Sequence, residues 1–444
     1  MALPPLNDTI TAIATAPGTG AIGVIRLSGP ESFGIAEQLF SPKNRKPLSP
    51  GSVHYGSLHD DAGVIDEAIV LSFKAPHSYT AQDVIELQTH GGPAVLRRVL
   101  ELTQKCGARL AKPGEFTMRA FLNGRIDLVQ AESVLEMVNA QSESARRNAA
   151  HGLSKALTEQ LDLIQSDITR VYGNIQAVFD YPDEGVEESD FQMPLKRALG
   201  RIDQLLATAK AGQIAQKGAR LALVGKPNAG KSSLLNALLG YQRSIVSNTP
   251  GTTRDYLEAP LTINNIPITA IDTAGIRETE DAIEASGVSA TKNIAAHADL
   301  SLYLLDASQE PSSEDFEVID SLEPGRSLLV LSKADLPQVW QHDFARPLYP
   351  VSATEGQGLE DLKTAISEKL LGDVGSSELW LSNERHAQTL KQTRDLVEQA
   401  IHAPDDLAAL DLEEVLRALA EITGRGDIAE ETLEHIFANF CVGK

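Results

Sequence analysis

Downstream of Leu153 the apolar residues Leu157, Leu161, Ile164, Ile168, Val171, Ile175 and Val178 recur in alternating steps of four and three. That spacing lays one apolar stripe along a single long helix, as in a bundle or a coiled-coil seam. No proline occurs from Gly114 to Tyr181, an acidic, proline-bearing turn from Asp180 to Asp190 ends the stripe, and Leu195 to Ala211 reads as helix again. Upstream the texture differs. From Thr9 to about Lys112 short apolar runs are broken by Gly and Pro, and Ile10 to Thr15, Ala21 to Leu27, Ile65 to Phe73 and Val84 to Thr89 read as strands. Glu31 to Phe40 and Ala94 to Cys106 read as helices, the second opening after Pro93 and closing before Gly107. An α+β domain is expected there.

Near Lys217 buried strands begin to alternate with helical stretches: Leu221 to Val224, Ile268 to Ile271, Ser301 to Leu305, Leu328 to Leu331 and Leu348 to Val351. This is the pattern of a parallel, doubly wound α/β sheet. After a Gly372 to Ser377 linker the chain is helical to Lys444, with Pro404 its only proline. Neither helical flank has enough apolar face to close a core alone, so the α/β module is expected as an insertion into one discontinuous all-α domain. The expected divisions are residues 1–118, 119–215, 216–371 and 372–444.

Composition narrows the chemistry. The 444 residues carry 39 Lys and Arg against 61 Asp and Glu, a formal charge of −22. Such a field repels nucleic acid, so any RNA contact must be a local patch or belong to a partner. Two cysteines, Cys106 and Cys441, exclude a disulfide framework. No apolar run approaches the ~18–20 residues that span a bilayer, and the first 25 residues hold no Lys or Arg, unlike a secretory or mitochondrial leader. A cytoplasmic protein without a membrane contact is the expectation.

The strongest chemical signal is Gly225-Lys226-Pro227-Asn228-Ala229-Gly230-Lys231-Ser232, between a buried strand and the helical run Ser233 to Leu239. It is the G-x-x-x-x-G-K-S phosphate loop in its required context. Backbone amides from Asn228 to Ser233 would wrap phosphate oxygens, Lys231 would neutralise β and γ charge, and the Ser232 hydroxyl would face Mg²⁺. Asp272-Thr273-Ala274-Gly275 follows another strand and suits the Mg²⁺ and γ-phosphate side. Ser332-Lys333-Ala334-Asp335 and Ser352-Ala353-Thr354 follow two more. A carboxylate at Asp335 accepts the N1 and N2 protons of guanine, which adenine cannot offer. Ser332 stands where GTPases usually have asparagine.

The residue after the D-x-x-G glycine is Ile276, which cannot orient water, so another group must. Asn228 offers an oxygen for a monovalent cation beside the phosphates, where an arginine finger otherwise contributes ~10³–10⁵ in rate. The oxygen-rich loop Ser247-Asn248-Thr249-Pro250-Gly251-Thr252-Thr253-Arg254-Asp255 suits a hard cation, with Thr253 as a Mg²⁺ ligand.

Together these motifs resemble the MnmE (TrmE) tRNA-modification GTPases. The resemblance extends to Ala16-Pro17-Gly18, Gly23-Val24-Ile25-Arg26, Glu86-Leu87-Gln88-Thr89-His90-Gly91-Gly92, Pro113-Gly114-Glu115-Phe116, Phe121-Leu122-Asn123-Gly124-Arg125 and the terminal Cys441-Val442-Gly443-Lys444, and so covers essentially the whole chain. It implies an N-terminal folate-binding and dimerisation domain similar to those of tetrahydrofolate-dependent aminomethyltransferases, a helical domain from both flanks and an inserted Ras-like GTPase module. It further implies a K⁺-activated homodimer that works with an MnmG-like flavoprotein, as a heterotetramer, on carbon 5 of the wobble uridine of certain tRNAs. The product is an aminomethyl or carboxymethylaminomethyl group; a bound 5-formyl- or 5,10-methylene-tetrahydrofolate carries the one-carbon unit, and the partner brings FAD, NADH and most of the tRNA contact. By resemblance Asn228, Ser247, Thr249 and Thr252 hold K⁺, Ser232 and Thr253 hold Mg²⁺, Glu284 orients the water, and Arg26, Glu86, Arg125 and Lys444 contact folate. Alternatives stay open: Arg26 and Glu86 as a plain ion pair, Glu284 as a solvated acid, Asn228 and Thr253 as turn formers, and Cys441 as a packing residue rather than a nucleophile at the uracil. The rival reading is a ribosome-assembly GTPase switch, which would call for a basic RNA-binding appendage.

Overall fold

The computed structural model describes residues 6–181, 191–240, 257–272, 295, 297–372, 379–426 and 428–444. In chain order these form β1 (Ile10–Ile13), β2 (Gly20–Ser28), α1 (Ser32–Leu39), β3 (Phe40–Pro42), β4 (Val53–Asp60), β5 (Gly63–Phe73), β6 (Val84–Gly91), α2 (Pro93–Lys105), β7 (Arg109–Leu110) and α3 (Glu115–Leu122). A helical run follows: α4 (Leu128–Asn139), α5 (Glu143–Leu153), α6 (Ala156–Asp180), α7 (Gln192–Ala207) and α8 (Ala209–Lys217). Next come β8 (Ala219–Gly225), α9 (Lys231–Gly240), β9 (Leu257–Ile263), β10 (Ile266–Asp272), β11 (Leu300–Asp306), α10 (Ser313–Ser321), β12 (Ser327–Ser332), β13 (Leu348–Val351) and α11 (Leu359–Leu371). The chain closes with α12 (Glu384–His402), α13 (Asp405–Thr423) and α14 (Glu430–Ala438).

Two compact units emerge. The first takes the chain up to Leu135, Gly152–Leu161 and Leu416–Lys444. Its seven-stranded sheet has the order β3-β4-β5-β6-β2-β1-β7, antiparallel except for the β1–β7 pair. Strand alternation sorts the faces: Ala68 and Val70 of β5 point inward with Ile25, Leu27, Ile85 and Leu87, under Ile35 of α1 and Val99 of α2, while Ile69 and Phe73 point outward. The C-terminal helix belongs to this unit. Leu433, Phe437 and Phe440 bury themselves against Met118, Leu128 and Ala131.

The second unit comprises Glu136–His151 and Asp162–Val415. Its sheet runs β13-β12-β11-β8-β10-β9. Five strands pair in parallel, and the central β8, β11 and β12 are buried on both faces, one face under α9 and α11 and the other under α10, as parallel sheets require. The sixth departs from the parallel expectation, since β9 pairs antiparallel with β10 at the edge. The helical flanks on either side of the sheet pack on each other: Arg394 of α12 bridges Asp203 of α7 at 2.8 Å, Asn148 of α5 donates to the Ser382 hydroxyl at 3.0 Å, and the Leu381 amide donates to Thr208 Oγ1 at 3.0 Å. The stripe of α6 is buried as the spacing requires, with Ile164, Ile168, Val171 and Ile175 all at most 2% exposed. One predicted helix, Leu195 to Ala211, is two. Thr208 returns its hydroxyl to the Leu205 carbonyl and takes the Leu381 amide, and α7 stops there.

Candidate functional site

In the second unit the phosphate loop leaves β8, whose Leu221, Ala222, Leu223 and Val224 are fully buried, so the strand end is a fixed platform. Gly225 sits at φ +142°, and a Cβ there would stand 2.7 Å from the Leu304 carbonyl oxygen. Only glycine lets the chain turn so close to β11. Asn228 takes the left-handed region, φ 62°, at the exposed tip of the loop, Ala229 is buried beneath it, and the Leu234 amide closes the first turn of α9 on the Gly230 carbonyl. Lys231 is 8% exposed and donates from Nζ to the Gly225 and Lys226 carbonyls at 2.8 Å each, while Ser232 and Ser233 are exposed on the first turn. The loop therefore gathers backbone amides, a helix N-terminus and an ammonium at one mouth, an arrangement suited to a polyphosphate.

Next to it stands the segment from Ser332 to Asp335, expected from the sequence to read the base. Ser332 ends β12, and its hydroxyl is turned into the sheet, donated to the Leu305 carbonyl at 3.1 Å. Lys333 adopts φ 56° and bonds Asp306 at 2.6 Å, and the Ala334 amide reaches the Val351 carbonyl, so Asp335 is held exposed in a tight turn. Ser352 is buried, shares a 3.0 Å hydrogen bond with the Thr354 hydroxyl and starts the turn through Ala353. Asp272 lies at the end of β10, in register with Leu223 of β8. Thr273, Ala274, Gly275, Ser247, Asn248, Thr249, Pro250, Gly251, Thr252, Thr253 and Glu284 lie outside the described residues.

Two lysines of this site have partners that the motif reading missed. Lys226, an unspecified position of the motif, ion-pairs with Asp315 at 2.6 Å, and Asp315 also accepts the Ser312 amide and, at 2.8 Å, the Tyr303 hydroxyl. Burial alone would raise the Asp315 pKa; Lys226 and these hydrogen bonds outweigh it and hold the carboxyl below its ordinary range. Asp306, partner of Lys333, is likewise desolvated yet held low, chiefly by that lysine and by Ser308. The segment from Asp306 to Asp315 so grips both the phosphate loop and the Lys333 turn. Nothing in an isolated Asp or Tyr announces this.

The first unit carries a different site. Arg26 of β2 and Glu86 of β6 are register partners on the sheet face opposite the core, and they pair at 2.8 Å, so the ion pair is formed. The guanidiniums of Arg26 and Arg125 both lie over the Tyr79 ring, 5.2 and 5.1 Å from its centre, and Arg125 Nη1 donates to the Tyr79 carbonyl at 2.9 Å. Tyr79 OH shares a 2.8 Å hydrogen bond with Thr117. Around this knot opens a cleft of about 580 Å³, lined among others by Phe73, His77, Tyr79, Val84, Glu86 and Arg125. Its volume and mix of flat apolar wall, carboxylate and guanidinium suit a heteroaromatic ligand with donors, acceptors and an anionic tail. Lys444 is not among the lining residues; its amide closes a turn on the Cys441 carbonyl at 3.3 Å. Cys441 is exposed. Tyr79 went unread because it stands in a loop outside any repeated pattern.

Residues 9–125 match the family profile "GTP-binding protein TrmE N-terminus", and residues 128–441 match "MnmE helical domain". The chain belongs to the MnmE family. A tRNA modification GTPase MnmE of Thermus thermophilus is 48% identical over 441 residues, 99% of this chain and 100% of that protein. The MnmE proteins of Chloroflexus aurantiacus and Alkaliphilus oremlandii are 41% and 38% identical, each over 99% of this chain and 100% of their own. Among solved structures, the G domain of the T. maritima FeoB iron transporter is 27% identical over 34% of this chain and 98% of its own, with a TM-score of 0.26. As an MnmE the chain is a GTPase of tRNA modification, which removes the ribosome-assembly reading. No described helix is long and apolar enough to cross a membrane.

Proposed function

We propose that this chain is a K⁺-activated GTPase which, with an MnmG-like flavoprotein, uses a one-carbon tetrahydrofolate to install a (carboxymethyl)aminomethyl group on carbon 5 of the wobble uridine of certain tRNAs. The observation that carries the folate half is the meeting of Arg26, Glu86 and Arg125 around Tyr79 at the cleft. There Arg125 meets an anionic or carbonyl edge and Glu86 accepts ring N–H donors. The folate supplies the carbon; FAD and NADH on the partner supply the redox chemistry. Tetrahydrofolate fits these residues because the cleft offers both hydrogen-bonding signs beside an aromatic wall. Isothermal titration of the full chain with 5-formyl-tetrahydrofolate should show binding that weakens about 10-fold in Arg125→Ala, the worth of one charge-assisted contact. Equal affinity in that variant would discard the cleft as the folate site.

In the GTPase half, Lys231 and the start of α9 take the phosphates, Ser232 and Thr253 offer hydroxyls to Mg²⁺, and Asp335 takes the guanine edge. Asn228, projecting from the tip of its loop, offers K⁺ an oxygen with Ser247, Thr249 and Thr252, and Glu284 orients water without needing to remove its proton. GTP turnover should therefore be at least about 10-fold faster in K⁺ than in Na⁺, since the cation stands where an arginine finger would act. Glu284→Ala should lose the K⁺-stimulated rate. Equal rates in both salts would end the cation reading.

Self-association through the N-terminal unit has support on the outer face of its sheet. Tyr55 and Ile69 are cross-strand partners there, and with Val53 and Phe73 they leave apolar surface exposed. At −22 the chain holds tRNA chiefly through its partner, in the cytoplasm.

A further inference from the structure

The last four residues form a turn on the first unit that neither the GTPase chemistry nor the cleft's lining explains. Gly443 sits at φ +100°, and a Cβ there would stand 2.4 Å from the Ile13 carbonyl oxygen and 2.9 Å from the Ala14 Cα. Both neighbours are backbone at the end of β1, which is locked to β2 by the Ala14 amide on the Val24 carbonyl at 2.7 Å, so neither can yield. On its other side the Gly443 carbonyl accepts Arg26 Nη1 at 3.3 Å, the guanidinium whose Nε and Nη2 hold Glu86 at 2.9 and 2.8 Å. One arginine thus ties the cleft's carboxylate to the terminal turn. Just before that turn, Phe440 is buried, while Cys441 and Val442 are exposed.

We infer that Gly443 is a positioning residue for tRNA modification: its bare backbone seats the Cys441–Lys444 segment between the end of β1 and Arg26, and so fixes that segment beside the cleft. The inference rests on the cleft being the carbon-donor site only for its purpose. The seating itself is independent of any ligand. A side chain at 443 has both a disfavoured φ and an occupied space, so it must lift the turn off β1 and away from Arg26.

The test is Gly443→Ala in the full chain, with alkylation of Cys441 by iodoacetamide followed by peptide mass spectrometry, which separates it from Cys106. Release of the turn should speed Cys441 alkylation about fivefold, as local opening replaces a held geometry. Wobble-uridine modification in the complete reaction should fall about 10-fold or more, as expected when a segment seated beside the donor site is displaced by about an ångström, with GTP turnover unchanged. Unchanged alkylation and modification would overturn the inference. So would lost modification with unchanged alkylation, because Gly443 would then act without moving the segment. Should Gly443→Ala lower the melting temperature of the first unit, Arg26→Lys decides: its single ammonium keeps Glu86 and cannot also span to the Gly443 carbonyl, so unchanged Cys441 alkylation there overturns the latch. Titration of the unmodified chain with 5-formyl-tetrahydrofolate separates the two readings, since absence of binding removes the folate proposal and leaves the alkylation result standing.

Discussion

Asp335→Asn is expected to weaken GTP binding by about 10²–10⁴-fold, the loss of two charge-assisted hydrogen bonds at ~1.5–3 kcal/mol each. The same variant should gain affinity for XTP, whose carbonyl at carbon 2 accepts from the new amide where guanine offers an amino group. The geometry favours a clean exchange. Asp335 is exposed in a turn fixed from both ends, by Lys333 on Asp306 and by Ala334 on the Val351 carbonyl, so the substitution alters the edge that is read and little else. Competition of GTP and XTP against a fluorescent guanine nucleotide is the measurement. Undiminished GTP affinity would move base recognition elsewhere.

The second large effect is on stability. Arg119 is fully buried and donates to the Asp8 carbonyl at 2.8 Å, to Gln82 at 3.0 Å, to Glu115 at 3.0 Å and to the Asp8 carboxylate. Glu115 is equally buried and shares Arg109 at 2.6 Å. Arg119→Met should cost the first unit about 3–5 kcal/mol, because it leaves buried carboxylate oxygens without their cation. Thermal unfolding, with hydrogen exchange in β1, β2 and α3 to assign the transition, reads it out; a shift worth less than about 1 kcal/mol would mean that Arg109 suffices. The same network sets a pH dependence. Burial pushes the Asp8 and Glu115 pKa values up, but their arginines, with the Lys112 amide on Glu115, bring both below the ordinary range. A carboxyl depressed in the fold binds its proton more readily when unfolded, so its contribution is complete above the unfolded value near 4 and drains away as pH falls through the folded one. The first unit should therefore lose stability below about pH 4, and Arg119→Met should flatten that slope.

How much of this is legible in the sequence depends on where the physics is local. The α6 stripe and the phosphate loop are periodic or glycine-punctuated, and both fold as their spacing requires. β4 escaped because its inward positions are His54, Gly56 and Leu58, which break the apolar alternation that marks a strand. β9 escaped because Pro260 argues against a strand, and it is tolerated only because β9 is an edge. β3 and β7 are too short to carry a pattern. In the sites, Arg26, Glu86 and Arg125 stand in recognisable text, whereas Tyr79, Asp306 and Asp315 act through partners distant in sequence. Ser332 shows the converse: its position was legible, and its hydroxyl spends itself on Leu305.

Met118 of α3 and Leu128 and Ala131 of α4 are covered by Leu433, Phe437 and Phe440, which are synthesised only after the nucleotide module. During synthesis α3 and α4 must therefore wait, with an oily face bare, while the whole nucleotide module is made. A nascent chain stalled before α14 would present that face to chaperones and proteases, so α14 acts as a seal on the quality of the molecule.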